Sequence, residues 1–496
     1  MKVLIANRGE IAIRIMRTCR EMGFPTVAVY SDADQNALHT RYADEAIHIG
    51  PARASESYLN IAAILDAASQ IGADAIHPGY GFLSENPHFG RAVETAGMIF
   101  IGPRPETMAI FGDKLSARKA AREAGLTVLP GPDQLLPETR IDGAIATELS
   151  FPVLVKAAAG GGGKGIRLAR SQQELQEVVD LAREEAKAAF GDGSIYLEPL
   201  VKKARHIEVQ ILGDGQGQVL AFGERECSIQ RRHQKLIEEA PAPRLSPTAR
   251  ECITQAAIAL GQITSYRSLG TVEFLMDETG QFFFIEVNPR IQVEHPVTEM
   301  VTGVDLVREQ LILAKTGKLG LEQHDIQVKG AAIEARVLAE DPDVDFLPTS
   351  GEISYLKEPG GPGIRIDSCL YQGMKVTADY DSLVAKTIAW GPDRRTAIHR
   401  LRRGIKEYQI GGLKTDLAFL AKILESHPYQ AGKITTTFLD DYRIGQDIPA
   451  ESLTRDAAIA AALHIHQQQF EKKKQQEPCE NPWRQAAWRE QTRPGA

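Results

Sequence analysis

The chain has no CxxC pair. Its five cysteines, Cys19, Cys227, Cys252, Cys369 and Cys479, are scattered, so neither a zinc site nor a disulfide framework is indicated. A reducing compartment follows, and a cytoplasmic location is expected. No run of about 18 apolar residues offers a membrane span. The opening MKVLIANRGE meets Asn, Arg and Glu too soon for the apolar region of a signal peptide. There is no excess of positive charge either: the net charge of −8 argues against a general nucleic-acid binder. The first strand-to-helix turn, Asn7-Arg8-Gly9-Glu10, holds one glycine instead of GxGxxG, which excludes a dinucleotide fingerprint. The Walker A ending GK[ST] is missing from the glycine run at 160–165, and no internal repeat is visible.

What is present is an ordinary folded composition, 43% apolar and 25% charged, over 496 residues. That length suggests about three domains. Short apolar strands at Val3–Ala6, Thr26–Tyr30, Glu45–Ile49, Ala75–Ile76 and Ile99–Ile101 alternate with helices at 11–22, 57–70 and 87–96. This alternation predicts a parallel sheet covered on both faces. A helix at 114–124 follows, then strands at 152–158, 166–169, 195–200, 206–213 and 217–223. Ser171-Gln172-Gln173-Glu174 reads as a capping box. Residues 230–243 read as a basic loop leaving into a proline-rich connector, and helices are expected at 246–263 and 297–316. From Ala331 to Trp390 the pattern is mostly antiparallel β, closed by helices at 394–407 and 415–425. Residues 446–465 look helical, and 466–496 read as an extended, polar arm.

Chemistry concentrates in Gly270–Met300. Residues 271–277 and 281–287 read as a hairpin around Asp277-Glu278-Thr279-Gly280. With Thr279-Gly280 as a two-residue loop, Glu273 falls opposite Glu286, and alternation adds Asn288 to their face. Opposed carboxylates roughly 4.5–5.5 Å apart at Cβ repel. A divalent cation would offset this, and two carboxylates with an amide oxygen suit Mg²⁺. The alternative is a charged solvent face. Beyond the hairpin, Arg290, Gln292, Glu294 and His295 crowd polar groups where a helix begins at Pro296.

Other candidates carry their own alternatives. Gly160, Gly161, Gly162, Gly163, Lys164 and Gly165 lie between two strands, as a phosphate-covering flap or a flexible surface hairpin. Lys114 and Lys156 add cations; Lys156 sits in an apolar strand, calling for polyphosphate unless it snorkels. Glu198, His206 and Glu208 follow the flap, although a lone histidine is more often structural. Arg231, Arg232, His233 and Lys235 fit a small anion or a solvated face. His77–Asn86, with Tyr80, leaves a strand at the carboxyl edge of the parallel sheet, as a ligand loop or a Pro-Gly turn.

The motifs VLIANRGEIAIRIMR, HPGYGFLSEN, GDK, KAAAGGGGKGIR, ERECSIQRRHQKLIEEAPAP, FIEVNPRIQVEHPVTEM, EARVLAEDP and YDSLVAK occur in this order. Over residues 1–445 the chain resembles the biotin carboxylase component of biotin-dependent acyl-CoA, pyruvate and related carboxylases. The resemblance implies an α/β and α+β multidomain fold. Its parts are a parallel α/β domain at 1–112, an ATP-grasp domain at 113–318 with a glycine-rich lid at 130–202, a mostly antiparallel domain with helices at 319–445, and a tail at 446–496. It implies that ATP and bicarbonate form carboxyphosphate and that biotin N1 is then carboxylated.

By the same resemblance, Lys114, Lys156, the flap, Glu198, Val201, His206, Gln230, His233 and Leu275 would bind ATP. Glu273, Glu286 and Asn288 would hold Mg²⁺ or Mn²⁺. Lys235, Arg290, Gln292 and Val293 would hold bicarbonate, Glu294 would be its base, and Arg336 with Tyr80 would face biotin. Lys164, Ala159, Pro199 and Asp416 depart from common family residues without removing a catalytic group. No biotin-attachment lysine between methionines and no carboxyltransferase domain follows. The expected partners are therefore a biotin carboxyl carrier protein and carboxyltransferase subunits, with a homodimer implied and no membrane or nucleic acid. The resemblance leaves the acceptor open among acetyl-, propionyl- or methylcrotonyl-CoA and pyruvate, with acetyl-CoA carboxylase and fatty acid biosynthesis among the settings it implies. Lys164 and Ala159 lean towards the propionyl- or methylcrotonyl-CoA type. Another ATP-grasp carboxylate–amine ligase and a non-catalytic nucleotide-binding regulator are the competing readings.

Overall fold

The computed structural model describes residues 1–130, 136, 151–157, 166–441, 459–460, 462–464 and 466. Residues 1–442 form one compact unit and 443–496 a second, whose described residues are helical. The expected flap at 160–165, with Lys164 and Ala159, and most of the expected tail lie outside the described residues.

The first part is the parallel sheet that strand–helix alternation predicts. Its order is Glu45–Gly50, Thr26–Ser31, Val3–Ile5, Ala75–His77, Ile99–Phe100, all parallel. The chain reverses direction across the sheet between Val3–Ile5 and Ala75–His77. Ligands of such sheets sit at the carboxyl ends beside that point. The two loops leaving there are tied together, because Asn7 Nδ2 donates to the Pro78 and Tyr80 carbonyls, 2.7 Å each. Gly79 has φ +62, and a Cβ there would lie 2.9 Å from Asn7 Nδ2, so the tie requires glycine. Glu10 follows in the first turn of helix Gly9–Glu21, where a carboxylate suits the dipole.

The central element is an eight-stranded antiparallel sheet. Its order is Phe282–Asn288, Arg267–Met276, Arg205–Asp214, Val219–Arg231, Gln234–Ala240, Ala331–Leu338, Leu383–Gly391, Ile364–Ser368. It draws strands from both sides of residue 319. Alternation gives it two faces. Ile207, Val209, Ile211, Val272, Phe274 and Val287 pack with Ile253, Ala257 and Leu260 of helix Pro247–Ile263. The opposite face carries His206, Glu208, Glu273, Glu286 and Asn288. A separate three-stranded sheet, Ile166–Ala169, Val153–Ala157, Ile195–Pro199, has its own core with helix Gln172–Phe190, built on Val153, Val155, Leu175, Val179 and Leu197.

Several expectations are corrected. Residues 230–243 are not a basic loop: strands Val219–Arg231 and Gln234–Ala240 pair with Arg231 opposite Gln234. The two-residue turn between them is Arg232-His233, with φ +49 and +64. Its conformation is one that Asn-Gly would announce, and Arg-His conceals. The expected helix at 297–316 is two, His295–Thr302 and Leu306–Thr316, because left-handed Gly303 ends the first and Asp305 caps the second. Ser171 makes no capping hydrogen bond, and Glu174 accepts from Arg170 N instead.

Candidate active site

Four charged residues form a row across four strands. Arg225 pairs with Glu208, Glu208 with Glu273, and Glu273 with Glu286. Three carboxylates side by side need cations, and each is met. Arg225, with no exposed side-chain surface, donates to Glu208 Oε1 at 2.5 Å. Lys235 Nζ reaches Glu208 at 2.6 Å and Glu273 at 3.0 Å. His206 Nε2 lies 2.9 Å from Glu273, and Lys114, at the start of helix Lys114–Glu123, pairs with Glu286. Burial alone would raise the Glu273 carboxyl, but Lys235 and His206 hold it well below the ordinary carboxylate range. Burial acts likewise on Glu286, where Lys114 outweighs it, and also the facing Glu273, and lowers the pKa.

Glu273 Oε1 also accepts from Asn288 Nδ2 at 2.8 Å and Gln292 Nε2 at 3.0 Å. This ties the metal-type face to the loop 288–294. Arg290 is fixed in that loop by Gln292 Oε1 at 2.7 Å, Asn288 Oδ1 at 3.1 Å, and Glu85 of the first domain at 2.7 Å. Glu294, fully buried, sits between two cations: Lys235 at 2.6 Å on Oε1 and Arg336 at 3.0 Å on Oε2. Burial opposes its charge, yet Lys235, then Arg336, hold its pKa well below the ordinary value. Arg336 is gripped from behind by Glu238 Oε1, 2.6 Å from its Nε. Lys235 thus bridges the opposed carboxylates and Glu294. Tyr80 comes from the first domain, its hydroxyl donating to Glu10.

Lys156, expected to call for polyphosphate or to snorkel, pairs with buried Glu198, which Arg118 also approaches at 3.4 Å. Gln230 is buried and donates to the Cys227 carbonyl at 3.3 Å. Leu275 lies beside His206 in the register. His233 stands exposed at the hairpin tip, and Val201 follows strand Ile195–Pro199. Sequence reasoning gave no role to Glu10, Glu85, Arg225, Glu238 or Lys386. Arg225 and Glu238 were hidden because residues 217–243 do not read as one hairpin; Glu10 and Lys386 lie in motifs whose partners are far off in sequence.

As for metal, the donor set fits a hard divalent cation. Glu273 and Glu286 face one another beside two flexible lysine side chains, while Asn288 turns its N–H to Glu273 and its oxygen to Arg290 and would offer that oxygen to an ion only after turning. His206, Glu208 and Glu273 also present donor atoms within 4.8 Å of one another. Glu208 is held by Arg225 and Lys235.

A parallel α/β unit, a small three-stranded subdomain and an antiparallel sheet bearing lysines and opposed carboxylates define an ATP-dependent ligase of the ATP-grasp class. Sequence profiles match accordingly: the biotin carboxylase N-terminal domain at 1–108, the carbamoyl-phosphate synthase L chain ATP-binding domain at 113–322, and the biotin carboxylase C-terminal domain at 334–441. A biotin carboxylase of Nostoc is 50% identical over 441 residues, 89% of this chain and 98% of the relative. A pyruvate carboxylase subunit from Methanothermobacter thermautotrophicus is 47% identical, covering 92% of each. Among solved structures, the biotin carboxylase of Campylobacter jejuni with a β,γ-ATP ligand superposes with TM-score 0.87 at 44% identity, covering 89% of this chain and 98% of that one. The biotin carboxylase domain dimer of Hydrogenobacter thermophilus 2-oxoglutarate carboxylase, with MgADP, ADP and bicarbonate, gives 0.86 at 45%, covering 89% and 97%. The chain belongs to the biotin carboxylase family. Among the described residues no helix is long and apolar enough to cross a membrane.

Proposed function

We propose that this chain carboxylates biotin, using ATP and bicarbonate through the residues assembled above, as the first half of a biotin-dependent carboxylation. Lys235 supports this most directly. One ammonium reaches Glu273 of the metal-type face at 3.0 Å and Glu294 of the anion pocket at 2.6 Å, joining the places where the γ-phosphate and bicarbonate must meet. Lys114, Lys156, Glu198, His206 and His233 are assigned to ATP, with Val201, Gln230, Leu275 and the glycine run at 160–165. Glu273, Glu286 and Asn288 are assigned to Mg²⁺, which when bound neutralises phosphate charge and aligns the γ-phosphate.

Bicarbonate is a weak nucleophile until it loses its proton. Glu294 is ionised at neutral pH but, between two cations, is a poor base. Bicarbonate accepting from Lys235 and Arg290 engages one of those cations, and Glu294 gains basicity as the proton must move. The resulting oxyanion attacks the γ-phosphorus and ADP leaves, giving carboxyphosphate. Carboxyphosphate then breaks into CO₂ and phosphate, the phosphate takes the biotin N1 proton, and N1 bonds to the CO₂ carbon. Arg336 meets the negative charge that develops on the ureido oxygen as N1 loses its proton. Its guanidinium is always charged and ready for charge that appears only in that step.

The domain division at 1–112, 113–318 and 319–445 is proposed as one of function, since one sheet spans the second boundary. A homodimer, a biotin carrier protein and carboxyltransferase subunits are the proposed partners. Relatives named for two different acceptors, pyruvate and 2-oxoglutarate, match this chain almost equally, at 47% and 45% identity. We therefore assign the acceptor to the other subunits. Phosphate release tests the reading. It should require bicarbonate and rise with free biotin. Release driven instead by an amine or amino acid would favour another carboxylate–amine ligase.

A further inference from the structure

Lys386, in strand Leu383–Gly391, has no exposed side-chain surface. Its ammonium donates to the Val293 carbonyl at 2.9 Å and lies 3.2 Å from Glu10 Oε1 and 4.0 Å from Asp367 Oδ2. The same Glu10 oxygen accepts the Tyr80 hydroxyl. In the sheet, Lys386 is the direct neighbour of Arg336 on one side and Asp367 on the other. One buried charge therefore touches the loop that ends in Glu294, the first-domain turn that holds Tyr80, and the strand beside Arg336.

Burying an ammonium carries a desolvation penalty that its partners must offset. Burial would lower the Lys386 pKa, but Glu10, then Glu334 and Asp367, outweigh it and raise it, so the group stays charged. A charged donor on a backbone carbonyl makes a strong, directional bond. In the loop, the Gln292 carbonyl is held by His295 Nδ1 at 2.7 Å, and the Val293 carbonyl by Lys386. Two consecutive peptide planes are thus fixed just before Glu294, and only the second depends on another element of the fold.

We propose that Lys386 is a positioning residue for carboxylation. It holds the Val293 carbonyl and, through Glu10, the Tyr80 hydroxyl, and so sets the spacing between the bicarbonate loop and the biotin side of the site. This rests on the roles proposed above for Glu294 and Tyr80. Removal of the ammonium frees the 293–294 peptide to rotate and lets Glu10 and Tyr80 relax away. MgATP binding, on the far side of Lys235, is left intact.

The test is steady-state kinetics on Lys386→Met, on Lys386→Arg, and on Lys386→Met combined with Glu10→Gln. The double variant removes both buried charges and keeps the fold measurable if the single variant unfolds. Expected are KM values for bicarbonate and free biotin raised about 10- to 100-fold, the range for misplaced reacting groups, with the MgATP KM unchanged. Lys386→Arg should recover part of the loss. A folded variant with unchanged bicarbonate KM, or with all three constants and the melting temperature moving together, would overturn the proposal. Wild-type enzyme without bicarbonate- and biotin-dependent ADP release would instead overturn the functional reading.

Discussion

Glu273 stands opposite Glu286 in the register of strands Arg267–Met276 and Phe282–Asn288, and each is matched by a different lysine, Lys235 and Lys114. The pair is therefore two carboxylates held ionised and facing one another, each beside its own lysine.

Replacing Glu286 by Gln removes one of the facing charges and leaves its shape. The Mg²⁺ concentration for half-maximal activity should rise at least about tenfold, the usual scale for a damaged metal environment. The melting temperature should change little, because the Lys114 side chain is partly open to solvent. Titration of activity with Mg²⁺ at saturating ATP measures this; an unchanged midpoint would remove Glu286 from the metal.

Counting outward from the turn finds the Glu273–Glu286 pair in the sequence, but by two departures that cancel. The loop has three residues, since Asp277 N donates to the Gln281 carbonyl. A register shift between Glu273 and Phe274, absorbed at Ile285, then restores the count. The parallel sheet was legible because its strands alternate with helices of clear period. The hairpin around Arg232-His233 was not, since its positive-φ turn lacks the Asn-Gly or Asp-Gly pair that announces one. Nor were contacts such as Lys386 to Val293 or Arg290 to Glu85, because periodicity reports which face a residue is on and not what lies opposite it from another domain.

The three-stranded subdomain has its own small core and should move as a body. Amide exchange in strands Val153–Ala157 and Ile195–Pro199 should slow when MgATP is added, as Lys156 exchanges Glu198 for phosphate. Equal protection with and without nucleotide would contradict closure over ATP.

Asp416 is fully buried, accepts Leu338 N at 2.9 Å through Oδ1, and has no partner for Oδ2. Burial, reinforced by Glu340, raises its pKa well above the usual value of 3.8. Folding therefore takes up a proton, and this site's contribution to stability falls as pH rises from about the unfolded carboxyl pKa toward the folded one. Asp416→Asn, neutral at every pH, should stabilise by about 1–3 kcal/mol at pH 8 and by much less near pH 4. Melting curves across that range measure it; a gain independent of pH would contradict a buried, titrating Asp416.

The division of labour between Glu294 and Arg336 is the central claim. ADP release and carboxybiotin formation should be measured together on folded wild type, Glu294→Gln and Arg336→Ala. Glu294→Gln should lower both products by about 10²–10⁴-fold, the scale of a lost general base. Arg336→Ala should abolish carboxybiotin while keeping bicarbonate-dependent ADP release, because removing a cation 3.0 Å from Glu294 makes that carboxylate a stronger base. A proportional fall of both products in Arg336→Ala would contradict the account.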